Sequence, residues 1–163
     1  MKFFLTIILL AFFAFTLHAQ DYKLEGSEVK TAKPVLFEAG TAKLKQESIA
    51  ALEIIKQYLA DKPYITRLRV ESHTGNSDAA AINQVLTEKR AVVVCSKLIE
   101  MGVDCKRLIA VGFGNTKPVA DNSAPAGKSE HLRVSFVNLS LRGHVIGGRP
   151  IDGGGKIAGE LCN

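Results

Sequence analysis

The chain is predicted to fold as one α+β domain in the order β-α-β-α-β-β, with a single mixed sheet and helices packed on one of its faces. Three observations carry that prediction. Two segments, near residues 46–60 and 79–100, repeat apolar residues at helical spacing. Four others have the short apolar runs or the alternation of strands. Once an N-terminal leader is set aside, 144 residues remain, enough for one core and too few for two comfortable ones.

The leader comes first in the chain. Of residues 1–19, 15 are apolar, and five of the eight phenylalanines lie there. Lys2 is followed by a greasy run from Phe3 to Phe15, broken by Thr6, and a small-residue exit at Leu17-His18-Ala19. That layout is a secretory signal peptide with cleavage expected after Ala19, and the apolar run is short for a membrane span. No cysteine lies near the exit, so no lipid anchor is expected there.

Residues 20–33 are polar and mixed, and are expected to be a lead-in to a domain at 34–141. Val35-Leu36-Phe37 is a short strand candidate ended by Gly40. Ile49, Leu52, Ile55 and Leu59 then form one helical face, stopped by Lys62-Pro63. From Tyr64 to Glu71 the chain alternates, with Ile65, Leu68 and Val70 between Arg67, Arg69 and Glu71, as in a half-exposed strand. Residues 72–78 have loop chemistry and supply helix N-cap candidates. The second helix buries Ala91, Val94, Leu98 and Met101 and ends at Gly102. Arg107–Phe113 and His131–Leu141 read as the last two strands, joined by a loop at 117–128. Residues 142–163 carry seven of the 14 glycines and are expected to be a flexible tail; a tether or strand-donating role is the alternative.

The leader removes one basic residue, so the mature charge is +4, with both signs interspersed. That is no nucleic-acid footprint. Cys95, Cys105 and Cys162 are too few for a disulfide scaffold. In an exported chain Cys95 and Cys105, ten residues apart, are a candidate disulfide across a helix end. No CxxC or His/Cys cluster has metal spacing, and no cofactor is expected. No nucleophile has a base and an orienting group at a recognisable spacing, so no enzyme is expected.

The informative segment is Val70-Glu71-Ser72-His73-Thr74-Gly75, continued by Asn83, Leu86-Thr87 and Arg90-Ala91. It resembles the OmpA-like peptidoglycan-binding domain family, whose pattern is G-H-T-D, an Asn eight residues later, then L-S-x-x-R-A. With Gly75 in the Asp position, Asn83, Leu86, Thr87 and Arg90 fall in register without a gap. Downstream, Gly112 to Gly114, Pro118, Asn122 and His131-Leu132-Arg133-Val134 continue the likeness. The resemblance implies a non-catalytic periplasmic protein associated with the cell wall or outer membrane of a Gram-negative bacterium. Its partner would be peptidoglycan, with outer-membrane or periplasmic proteins as further candidates.

The resemblance also implies a ligand: the diaminopimelate of the peptide stem, whose free end carries a carboxylate and an ammonium. Arg90 would supply a planar fork for the carboxylate, and the start of the second helix would add N–H donors and a partial positive charge. Thr74, Gly75, Asn76, Asp78, Asn83, Leu86 and Arg90 are the candidate binding residues. The departures bear on specificity. Gly75 removes the carboxylate that would answer the ammonium, and Phe37-Glu38 stands where the family has F-D. Asp78 is either a substitute carboxylate or a helix cap, Arg90 either a ligand group or a structural ion pair, and Asn83 either a ligand contact or a loop anchor. His73 is expected to be structural. The rival function is an OmpA-like fold that has lost the ligand and serves as a protein-interaction module.

Overall fold

Two amphipathic helices set the frame. In the computed structural model, which describes residues 21–75, 79–117 and 133–162, helix α1 runs Ser48–Asp61 and helix α2 Ala80–Glu100. Helix α1 buries Ala51, Leu52, Ile55, Tyr58 and Leu59, and α2 buries Ala91, Val94, Cys95 and Leu98. Both stripes repeat every three or four residues, as one face of an α-helix must. Helix α2 ends in a Schellman turn: Gly102, at φ 100°, donates to Ile99 O, and Val103 N–H donates to Leu98 O. Arg107, in the 3₁₀ turn Cys105–Arg107, closes the end of α1 by donating to the carbonyls of Leu59, Lys62 and Ile65.

The strands are β1 (Tyr22–Glu25), β2 (Glu28–Thr31), β3 (Ile65–His73), β4 (Leu108–Gly112), β5 (Arg133–Leu141), β6 (His144–Val145) and β7 (Lys156–Ile157). They form one mixed sheet in the order β1-β2-β5-β3-β4-β7, with β6 paired to β5. The β3–β4 pair is parallel, with α2 as its crossover, and the other pairs are antiparallel. Leu68 and Val70 of β3, Leu108 and Ala110 of β4, Phe136 of β5 and Val29 of β2 share one core with both helices. The α+β class and the mixed sheet agree with the sequence expectation.

Several local expectations are corrected. Val35-Leu36-Phe37 forms no strand; Phe37 makes a single bridge to Leu44. The lead-in expected at 20–33 contains the β1–β2 hairpin, which joins the sheet through β5. The glycine-rich segment expected to be a flexible tail supplies β6 and β7 and packs on the sheet. Glycine permits this by close approach: a Cβ on Gly155 would sit 2.6 Å from the Phe113 ring and 2.8 Å from Val111. Cys105 pairs with Cys162, not with Cys95 (Cα–Cα 5.4 Å). Cys95 faces the helix–sheet core, whereas the Gly102 reversal carries Cys105 to the surface, where the C-terminal segment arrives. Burial pushes the Cys95 thiol far up, so it stays protonated. The leader at 1–19, most of the 117–128 loop and the start of the last expected strand lie outside the described residues.

The alternation on β3 also meets a different environment from the one expected. Arg67 is exposed, but Arg69 and Glu71 are buried, because the C-terminal segment covers the sheet face away from the helices.

Candidate functional site

The end of β3, the start of α2 and the 36–44 loop converge at one end of the sheet. Gly112 and Gly114 let this happen. A Cβ on Gly112 would lie 2.5 Å from the Glu88 backbone nitrogen, so β4 can touch α2 only without a side chain there. Gly114 takes φ 52° and carries the chain past Gln84. Its N–H donates to Thr87 Oγ1 at 2.9 Å, and its carbonyl accepts from Thr74 N–H at 2.8 Å. Thr87 Oγ1 in turn donates to Gln84 O, and Gln84 Nε2 to Gly112 O. The turn at 112–114 is thus tied to both flanks of the site.

Of the predicted binding residues, Thr74, Gly75, Asn83, Leu86 and Arg90 are within the described residues, and Asn76 and Asp78 are outside them. Asn83 is buried, and its Nδ2 donates to Gly75 O at 3.4 Å. Thr74 is 5% exposed, and its hydroxyl has no hydrogen-bond partner among the described residues. Leu86 is part-exposed on α2, on the face it shares with Asn83 and Arg90. The N-cap of α2 falls on Ala79, one residue past the expected Asp78, and no side chain caps it.

Arg90 is 6% exposed, and its Nε donates to Thr41 O at 2.7 Å. Its guanidinium carbon lies 4.7 Å from the centroid of the Phe37 ring. Among the described residues no carboxylate forms an ion pair with it. Burial alone pushes its pKa down. Glu38, on the loop that covers it, is held by Lys43 at 2.7 Å. Sequence reasoning missed Phe37 and Thr41 as the partners of Arg90. The Phe37-Glu38 pair pointed to the loop, but a backbone carbonyl at Thr41 leaves no signal in side-chain identity.

The opposite sheet face holds a second charge cluster. Glu71 Oε1 accepts from Arg69 Nε at 2.7 Å, and Oε2 lies 3.2 Å from His73 Nε2 and 3.7 Å from Lys117 Nζ. Arg69 also donates to Arg149 O at 3.1 Å. His73 stacks on Phe113, with centroids 4.9 Å apart. Burial acts to raise the Glu71 carboxyl, but the His73 hydrogen bond with the Arg69 and Lys117 charges outweighs it and holds the carboxyl below its usual range. Burial depresses His73, Arg133 adds to this, and the bond to Glu71 only partly offsets it. His73 is buried in this cluster, and its Nδ1 has no hydrogen-bond partner among the described residues.

A model described as the OmpA family matches residues 36–131, more than half of the chain. The protein belongs to the OmpA family. Among relatives, the outer-membrane lipoprotein YfiB of Pseudomonas aeruginosa is 35% identical over 123 residues, covering 74% of this chain and 73% of YfiB. Outer membrane porin F of the same organism is 36% identical over 107 residues, but those cover 65% of this chain and 30% of the porin. Among solved structures, the peptidoglycan-associated lipoprotein of Burkholderia pseudomallei superposes with a TM-score of 0.58 at 27% identity, covering 64% of this chain and 88% of that one. The OmpA-family match includes Arg90 and the loop that covers it, whereas the β1–β2 hairpin and the C-terminal segment with β6, β7 and Cys162 lie outside it.

Proposed function

We propose that this OmpA-family protein is a non-catalytic component of the cell envelope that binds the peptide stems of peptidoglycan in the periplasm, against the wall or outer membrane. Arg90 carries the reading. A buried guanidinium with one backbone acceptor, one aromatic ring and no acid among the described residues is a cation in want of an anion. A stem carboxylate supplies one in the planar geometry the fork prefers. The relatives' names, an outer-membrane lipoprotein and a peptidoglycan-associated lipoprotein, support the location and the partner. The chain covers a minority of the porin's length, so nothing of the porin's own activity is carried over.

A second reading, an interaction module that has lost the ligand, is favoured by Gly75 and by the low exposure of Arg90 beneath Phe37. Co-sedimentation with isolated peptidoglycan decides between them, using protein purified from the periplasmic extract of cells expressing the full chain. Wild type is expected to pellet. Arg90→Ala is expected to bind about 10- to 150-fold more weakly, the loss of one charge-assisted contact. Wild type remaining in the supernatant would leave the interaction module.

A further inference from the structure

The end of the sheet away from His73 and Arg133 carries a surface that the Arg90 site does not use. There β5 and β6 form a hairpin whose tip is Arg142-Gly143, since Leu141 pairs with His144. Both tip residues take positive φ, 47° and 83°. A two-residue turn of that kind favours Asn-Gly, and Arg142 is the one non-glycine residue at positive φ among the described residues. An arginine held there at a conformational cost points to a use for its charge. The tip is fastened to the start of β3: Arg142 N–H donates to Tyr64 O at 2.7 Å, and Gly143 N–H to Thr66 Oγ1 at 3.0 Å.

Beside the tip, Arg67, Ile109, Val145, Arg149 and Pro150 line one cleft of about 430 Å³. Around it the exposed side chains are of two kinds. Tyr64, Val145, Ile146 and Ile151 are 44%, 67%, 49% and 54% exposed, and Arg67, Arg142 and Arg149 are exposed with them. Arg149 is paired with Asp152 at 3.2 Å, yet its side chain stays 80% exposed. Asp152 is the one acid in 142–157, against Arg142, Arg149 and Lys156. Apolar residues scattered singly over a surface need no explanation, but these four share one end of the sheet with three arginines.

We propose that this end of the sheet is a docking surface for an anionic phospholipid bilayer. The aliphatic side chains and the Tyr64 ring enter the headgroup boundary, and Arg67, Arg142 and Arg149 meet the lipid phosphates. A soluble polyanion would use the arginines and leave Tyr64, Val145, Ile146 and Ile151 in water; a bilayer uses both kinds. Residues 142–157 lie outside the OmpA-family match, and the proposal does not depend on the stem-binding reading. Thr66 and His73 are seven residues apart on β3, about 23 Å along an extended strand, so this surface and the Arg90 end are separate.

Co-sedimentation with lipid vesicles tests it, on protein purified from the periplasmic extract of cells expressing the full chain. The protein is expected to pellet with vesicles of equal parts phosphatidylcholine and phosphatidylglycerol, less so as salt is raised, and to stay in solution with phosphatidylcholine alone. Arg142→Asn puts a favoured residue in the turn while removing the charge. It is expected to melt no lower than wild type and to bind about fivefold more weakly. Ile146→Ser is expected to weaken binding about three- to tenfold. Lys97→Asn, which removes the same charge from α2 on the other side of the sheet, is expected to bind as wild type does. Equal pelleting with both vesicles, or with neither, overturns the proposal. So does a Lys97→Asn loss equal to that of Arg142→Asn, which would make net charge the cause. Loss in Arg142→Asn with none in Ile146→Ser would show a site for soluble polyanions and would likewise end the lipid reading.

Discussion

Arg69 and Arg90 are buried to nearly the same degree, at 5% and 6% exposure, yet their surroundings differ in kind. Arg69 has Glu71 at 2.7 Å, a carbonyl from the C-terminal segment, and a network that extends to His73 and Lys117. Among the described residues Arg90 has one carbonyl and one ring. Burial is therefore alike for the two arginines, and neutralisation among the described residues is what differs. A buried charge whose partners are all internal locks its own neighbourhood. One left without an acid carries a desolvation cost that an external anion can offset.

The comparison is broken most forcefully by removing Glu71. Glu71→Ala strands Arg69 without its anion and is expected to cost about 3–5 kcal/mol in urea denaturation, whereas Arg90→Leu is expected to cost about 1 kcal/mol or less, having no acid among the described residues to orphan. Equal losses for the two variants would erase the distinction. Next in size is the covalent clasp that keeps the C-terminal segment over the Arg69 face. Cys162→Ser opens a link spanning 57 residues and is expected to cost about 2–4 kcal/mol, with hydrogen exchange rising at Ala158, whose N–H donates to Ala110 O. Unchanged protection there would show that the segment holds by packing alone.

The smallest effect sharpens the comparison by pH. His73 titrates in the native state below its ordinary 6.5, and Glu71 below its ordinary 4.5. In both cases the unfolded chain takes up the proton first as pH falls, so acidification favours unfolding. Stability is expected to decline just below pH 6.5 through His73, and again below pH 4.5 through Glu71. Arg69, Lys117 and Arg133 are the charges that face this pair. Melting His73→Gln across the same range is expected to flatten the upper step and to shrink the lower one, because the His73 bond helps hold Glu71 down. A wild-type melting temperature that rises between pH 6.5 and 5 would contradict this ordering.

Much of the fold was legible because its signals are local. The stripe Leu52, Ile55, Leu59 and the stripe Ala91, Val94, Leu98 name two helices wherever they occur, and Leu68 and Val70 mark a strand by alternation. The spacing from His73 to Arg90 located the candidate site without reference to any contact. Val35-Leu36-Phe37 misled because an apolar tripeptide needs a neighbouring strand to become one, and here the chain turns at Gly40 toward α1. The glycine-rich segment misled for the opposite reason. Glycine's entropy argues for disorder, but at Gly147 and Gly155 the missing side chain is what allows close packing on the sheet.

By itself, the amino-acid sequence determined the two helices, the central strands and the family, because each is written in short-range patterning and residue identity. Tertiary structure alone decided that Cys105 meets Cys162, that the 147–155 stretch lies over the outer sheet face, and which of two buried arginines has an acid beside it among the described residues. Those outcomes depend on which distant segments the folded path brings together. Partners 57 residues apart for the cysteines, and 80 apart for Arg69 and Arg149, are set by the closure of the whole sheet and not by any local pattern.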